Sequence, residues 1–124
     1  MGIKTFRDLI AWQKGMELAR RVYQVTMRMP KEEQFGLTSQ MRRAAVSIPS
    51  NIAEGFGRQK TPELLRFLRM ARGSLMELQA QAILVEQLNF IQIPQDLTAL
   101  LNETDRVLQG LIRSLEDRKR KPAK

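Results

Sequence analysis

The chain has 124 residues, 43% of them hydrophobic: the length of one domain, with enough apolar side chains for a packed core rather than disorder. It contains neither cysteine nor histidine. Disulfides, thiolate chemistry, cysteine–zinc sites, Ser-His and Cys-His nucleophile systems and the usual neutral-pH general base are therefore excluded. No apolar run approaches the ~20 residues of a membrane span. No apolar stretch follows Lys4 and Arg7 as a secretory signal requires, so a cytoplasmic location is expected.

The net charge is +8 and the isoelectric point about 10.6, and the charge is unevenly spread. Residues 1–31 carry +5, residues 42–72 carry +5, residues 73–112 carry −4 and residues 113–124 carry +4. A polarised basic protein favours a polyanionic partner, although net charge also serves solubility alone.

In chain order, the first predicted helix runs from Phe6 to Arg28. Thr5 and Asp8 stand at capping-box spacing, and Met29-Pro30 ends the segment. Leu9, Trp12, Met16, Ala19, Tyr23 and Thr26 recur at helical spacing and form the expected inner face, with Trp12 and Tyr23 as core aromatics. The second helix is predicted from Leu37 to Gly55, with Met41, Ala44, Ile48 and Ile52 inward and Gly55 and Gly57 at its exit. Thr61-Pro62-Glu63 opens a third helix: a cap residue, a proline in the first turn and an acid near the positive end of the dipole. Its inner face is Leu64, Leu68, Ala71, Leu75, Leu78, Ala82 and Val85, with Asn89 as the stop. A fourth helix starts near Pro94 with Leu97, Leu101, Thr104, Leu108, Leu111 and Leu115 inward, and frays into a basic tail. Short connections make neighbouring helices antiparallel. The expected fold is all-α: an up-down-up-down four-helix bundle over residues 1–117, followed by a tail over 118–124.

The first and third helices each carry a second apolar stripe. Ala11, Leu18, Val22, Val25 and Met29 lie roughly 120° from the first stripe at ~100° per residue. Leu65, Met76 and Ile83, with Arg72 beside them, do the same on the third helix. Soluble monomers avoid large exposed apolar patches. Leu18, Val22, Val25, Met29, Leu65, Arg72, Met76 and Ile83 are therefore the candidate contacts of a homo-oligomer.

The most informative stretch is Leu37 to Gly55, LTSQMRRAAVSIPSNIAEG. Its apolar period continues through Pro49, although a proline inside a helix costs roughly 3 kcal/mol. Ser47, Ser50 and Asn51 are expected to allow close packing and to satisfy the carbonyl that Pro49 leaves without a donor. A hydrolase reading, with Ser47 or Ser50 as nucleophile and Glu54 as base, lacks any histidine, cysteine or nearby lysine. A di-metal bundle site lacks its histidines as well. A non-enzymatic protein without cofactor or metal is expected.

Together with FRDLIAWQK at Phe6–Lys14, Arg66-Phe67-Leu68 and Gly73-Ser74-Leu75-Met76-Glu77-Leu78, this stretch resembles the four-helix-bundle family of 23S rRNA intervening sequence proteins, over about residues 5–91. The resemblance implies a bundle that assembles into a ring, commonly a pentamer, encoded in some bacteria within an insertion in the 23S rRNA gene. A related group is the accessory proteins of diversity-generating retroelements, basic pentameric bundles that bind nucleic acid and a reverse transcriptase. That group makes a reverse transcriptase an alternative partner.

The candidate nucleic-acid contacts are Arg42, Arg43, Arg58, Lys60, Arg66 and Arg69, read as one basic band across the second helix, the following loop and the third helix. Arg118, Lys119, Arg120 and Lys121 in the tail join them. Arginine suits phosphate because its planar fork binds two oxygens at once. No aromatics interleave with these cations, so phosphate or shape recognition is favoured over base stacking. The competing assignment is a solvated face with local ion pairs, such as Glu63 with Arg66.

Overall fold

The computed structural model describes residues 2–120, and Lys121 therefore lies outside the described residues. Four α-helices make up most of the chain: α1 (Ile10–Thr26), α2 (Leu37–Gly57), α3 (Thr61–Gln87) and α4 (Gln95–Arg120). Short 3₁₀ turns at Phe6–Asp8 and Lys31–Glu33 precede α1 and α2, and no strand occurs among the described residues. The predicted first helix is thus interrupted. Leu9 adopts an extended conformation between the 3₁₀ turn and α1. The Thr5 cap belongs to the turn: its Oγ1 accepts from the Arg7 amide, and Asp8 Oδ2 accepts from the Lys4 and Thr5 amides.

Cross-helix contacts fix the direction of every neighbour. Gly15 faces Ile48 and Pro49, while Arg42 reaches Thr26, so α2 runs antiparallel to α1. Ser47 meets Ser74 and Gly55 meets Phe67, so α3 runs antiparallel to α2. Arg69 pairs with Glu116 and Arg72 with Asp105 across α3 and α4. Lys14 pairs with Glu103 and Arg21 with Asp96, which closes α4 back onto α1. The arrangement is the expected up-down-up-down bundle.

The inner faces predicted for α2, α3 and α4 are largely those observed, with Leu37, Leu64 and Leu111 only half-buried. On α1 the predicted inner face holds only at its ends, where Leu9 and Thr26 are buried, and is inverted between them. Leu18, Val22, Val25 and Met29 are buried in the protomer, while Trp12, Met16 and Ala19 are half-buried and Tyr23 is 44% exposed. Leu65 is buried too. These five former interface candidates, Leu18, Val22, Val25, Met29 and Leu65, are therefore core residues. Tyr23 and Trp12 sit at the edge of the bundle rather than inside it, with Trp12 edge-on to Phe6 at 5.1 Å between ring centres.

Two details of α2 also differ from expectation. Gly55 lies within the helix rather than at its exit, and a Cβ there would stand 2.6 Å from Phe67 Cβ. The glycine is required by the close approach of α3. The polar residues around Pro49 do not bond the carbonyl of Ala45. Instead Asn51 Nδ2 donates to the Ser47 carbonyl (2.8 Å) and Oγ (2.9 Å), and Ser47 Oγ shares a 2.7 Å hydrogen bond with Ser74 Oγ. This polar seam joins α2 to α3.

The third helix stops where predicted. Asn89 takes a left-handed φ of 60°, the Asn89 amide donates to the Glu86 carbonyl and the Phe90 amide to the Val85 carbonyl. That is the Schellman pattern, and half-buried Phe90 packs back on the core as the pattern requires. At the other terminus α4 continues to Arg120, so the predicted boundary at residue 117 falls inside a helix.

Candidate nucleic-acid interface

Alternating helix directions bring the start of α1, the end of α2, the start of α3 and the end of α4 to one pole of the bundle. The basic residues of four separate sequence segments meet there. Lys4 and Arg7 precede α1, Arg58 and Lys60 form the α2–α3 connection, Arg66 and Arg69 lie in the first turns of α3, and exposed Arg118 lies near the end of α4. Lys119 and Arg120 belong to the last turn of the same helix.

The cations at this pole are organised by aromatic and acidic neighbours. The guanidinium carbons of Arg58 and Arg66 lie 5.1 and 4.6 Å from the centre of the buried Phe67 ring. The ring's quadrupole holds both charges against it. Arg58 also pairs with Glu54 at 3.0 Å, Arg66 with Glu63 at 3.1 Å, and Arg69 with Glu116. The hydrogen bond from Arg66, together with the fields of Arg58 and Lys60, holds the Glu63 carboxyl below the usual carboxylate range. Lys60 has no carboxylate at bridging distance among the described residues. The Glu63–Arg66 pair is the local interaction that the sequence raised as the competing assignment.

Arg42 and Arg43 do not belong to this cluster, so the predicted single band is divided. Fifteen residues of helix separate Arg43 from Arg58, about 22 Å at 1.5 Å per residue. The two neighbours also point apart. Arg42 turns toward α1, where its Nε donates to Thr26 Oγ1 at 2.9 Å and its guanidinium lies 4.5 Å from the centre of the Tyr23 ring. Arg43 is exposed and lines a groove between α2 and α3 with Ser39, Gln40, Ser47, Ser74 and Glu77. Arg72, an oligomer candidate, is held within the protomer by Asp105 at 2.9 Å. Met76 is half-buried and Ile83 is 58% exposed on the outer side of α3.

Around Pro49, Ser47 is bonded to Ser74 and Glu54 to Arg58, while Ser50 is exposed at the α1–α2 groove. Among the described residues no group of acidic side chains has metal-binding geometry, and no helix is long and apolar enough to cross a membrane. Sequence reasoning missed Phe67 as the platform beneath Arg58 and Arg66: three residues after Leu64 and four before Ala71, it lies on the buried side of α3, and nothing local shows that two arginines cover its ring.

The fold and this pole define a class: an antiparallel four-helix bundle with a cationic end built from phosphate-compatible side chains. Residues 7–113 match the family described as 23S rRNA-intervening sequence protein, and the chain belongs to that family. No curated protein matches the chain closely enough to define a relative.

Proposed function

We propose that this chain is a non-enzymatic, self-associating helical bundle of the cytoplasm that binds nucleic acid through phosphate contacts at its basic pole. The observation that carries the reading is the convergence of Arg58, Lys60, Arg66, Arg69 and Arg118 at one end of the bundle. Three of these arginines have carboxylate partners, but the side chains of the pairs are largely solvent-exposed. An exposed ion pair contributes only about 0–1 kcal/mol, so a phosphate oxygen readily replaces the carboxylate. Phe67 is covered by its two arginines and offers no stacking face. Recognition of backbone charge, rather than of bases, follows.

Fluorescence anisotropy with labelled RNA and DNA over a salt series tests the proposal. Binding that weakens steeply with salt is expected. Neutralising Arg58, Lys60, Arg66 and Arg69 together to glutamine should reduce the log–log salt slope by about 3–4 on duplex DNA. Absence of binding at low salt, or binding indifferent to salt, overturns the reading.

A second reading is a scaffold that presents a surface to a protein partner such as a reverse transcriptase. It is favoured by Phe35, 90% exposed beside Arg43 and Glu77 in the α2–α3 groove. Loss of partner capture by Phe35→Ser with nucleic-acid affinity unchanged would assign that groove to a protein.

A further inference from the structure

The α2–α3 pair carries a second recognition surface, at the opposite end from the basic pole. Phe35 lines its groove of about 500 Å³ and is 90% exposed. The backbone beside that ring is fixed. The Gly36 amide donates to the Glu33 carbonyl, and the Leu37 amide to Glu33 Oε1, each at 3.0 Å. An uncovered aromatic face is therefore presented from an ordered turn. Arg43 of α2 and Glu77 of α3 line the same groove. The stacking face that the cationic runs lack in sequence is supplied here by the turn before α2.

Arg43 and Glu77 do not neutralise each other. Neither has an oppositely charged side chain at bridging distance among the described residues. Glu77 accepts one long hydrogen bond, 3.4 Å from Gln81 Nε2, and its carboxylate is open to stronger donors. An aromatic face stacks a base, a guanidinium holds a phosphate, and a carboxylate accepts N–H donors from a base edge. Guanine fits that carboxylate best. Its N1–H and 2-amino group are adjacent donors, spaced to meet the two oxygens together. Thymine and uracil flank their one ring donor with carbonyls, which repel a carboxylate. Adenine and cytosine set a ring acceptor beside their amino group.

The groove and the pole lie on the same side of the α2–α3 pair. Arg43, Ser47, Asn51, Glu54 and Arg58 follow helical spacing along α2, as do Arg66, Met70, Ser74 and Glu77 along α3. The uncharged seam of Ser47, Asn51 and Ser74 lies between the two ends. Arg43 is about 22 Å from Arg58 along α2, roughly six or seven nucleotides of stacked strand at ~3.4 Å each. We propose that the groove holds one unstacked guanine of a single strand. The base stacks on Phe35, its N1–H and 2-amino group donate to Glu77, Arg43 takes the adjoining phosphate, and the strand continues to the basic pole. The inference rests on the nucleic-acid binding proposed above. It adds a base selection that the pole, with its Phe67 ring covered, does not provide.

Anisotropy with labelled oligothymidylates of roughly fifteen nucleotides, long enough to reach the pole from a central base, tests the assignment. One central guanine should tighten binding about tenfold over the all-thymine strand. Inosine at that position lacks the 2-amino donor and should lose most of the gain, a comparison that needs no altered protein. Glu77→Gln should abolish the difference between guanine and inosine. Phe35→Ala should weaken the guanine strand about tenfold. Replacing Arg58, Lys60, Arg66 and Arg69 by glutamine should weaken every strand and leave the preference for guanine intact. Absence of strand binding at low salt overturns the nucleic-acid reading itself. Salt-dependent binding that ignores guanine, or Glu77→Gln that still separates guanine from inosine, overturns only the groove assignment. Phe35→Ala that leaves every strand unaffected does the same and returns the groove to a protein partner. Guanosine monophosphate that competes as strongly as the guanine strand overturns the strand as the occupant.

Discussion

Arg42 caps Tyr23: its guanidinium lies 4.5 Å from the ring centre while its Nε donates to Thr26 Oγ1 and its Nη2 to the Tyr23 carbonyl. Thr26 in turn donates to the Val22 carbonyl at 2.7 Å. A cation is thus placed at the last turn of α1, where the helix dipole and the unpaired carbonyls favour positive charge. One half of the Arg42-Arg43 pair, conspicuous in sequence as a phosphate-binding motif, ties α2 to α1.

Arg42→Ala should therefore reduce stability by about 1–2 kcal/mol, from the lost cation–π contact and the charged hydrogen bond. Lysine should not restore it, because an ammonium reproduces neither the planar stack nor the fork. Arg43→Ala should leave the melting temperature unchanged. Thermal denaturation of the three variants separates the structural cation from its exposed neighbour.

Gly55→Ala should destabilise the bundle by about 1–3 kcal/mol, because the new methyl meets Phe67 Cβ at 2.6 Å and one helix must shift. Gly110→Ala should do the opposite. A Cβ at Gly110, inside α4, meets nothing within 4 Å, and alanine gains about 0.5–1 kcal/mol of helix propensity. Urea denaturation of both variants tests whether spatial constraint at Gly55 overrides the same intrinsic preference.

Acid should weaken the fold through carboxylates held by partners. The hydrogen bond from Arg21 lowers the Asp96 pKa, and the Lys4 and Thr5 amides lower that of Asp8. A folded-state pKa below the unfolded one means that the native state binds fewer protons. The contribution is present above the ordinary carboxylate pKa and is lost as pH falls through the folded-state value. With no histidine, stability should be nearly level between about pH 5 and 7 and decline below about pH 4. Asp96→Asn should flatten part of that acid limb and reduce stability at neutral pH, readable as melting temperature against pH.

Asn89→Gly should be neutral or mildly stabilising, and Asn89→Val should cost about 1–2 kcal/mol. The φ of 60° is open to glycine and tolerated by asparagine, but a β-branched side chain clashes with the backbone there. Calorimetric melting of the two variants reads the difference directly.

Much of the fold is legible along the chain. Asn89 as a helix stop, Pro62 in a first turn, the Thr5–Asp8 box and the leucine repeat of α4 each report local backbone physics, and local rules carry them. The site is legible only in pieces. Arg58, Arg66 and Arg118 belong to separate segments, and their convergence depends on the alternation of helix direction. Sequence proximity also misleads: Arg42 and Arg43 are adjacent, yet a turn of ~100° per residue sends one to α1 and the other to the α2–α3 groove.

The choice between the two stripes of α1 shows where local information ends. Periodicity establishes that Trp12, Met16, Ala19 and Tyr23 share one face and Leu18, Val22 and Val25 another, and both faces are apolar. Neither hydrophobicity nor spacing ranks them. The neighbours do. Gly15 lets Ile48 and Pro49 approach within 3.3–3.4 Å of the position its Cβ would occupy, and Lys14 and Arg21 must meet Glu103 and Asp96 on the opposite flank. Those contacts set the rotation of α1 about its axis. They send the compact leucine and valines inward and leave the large aromatics at the rim of the α1–α2 groove. Residue pattern decides that a helix forms and where it stops; mutual packing of four helices decides which face it buries.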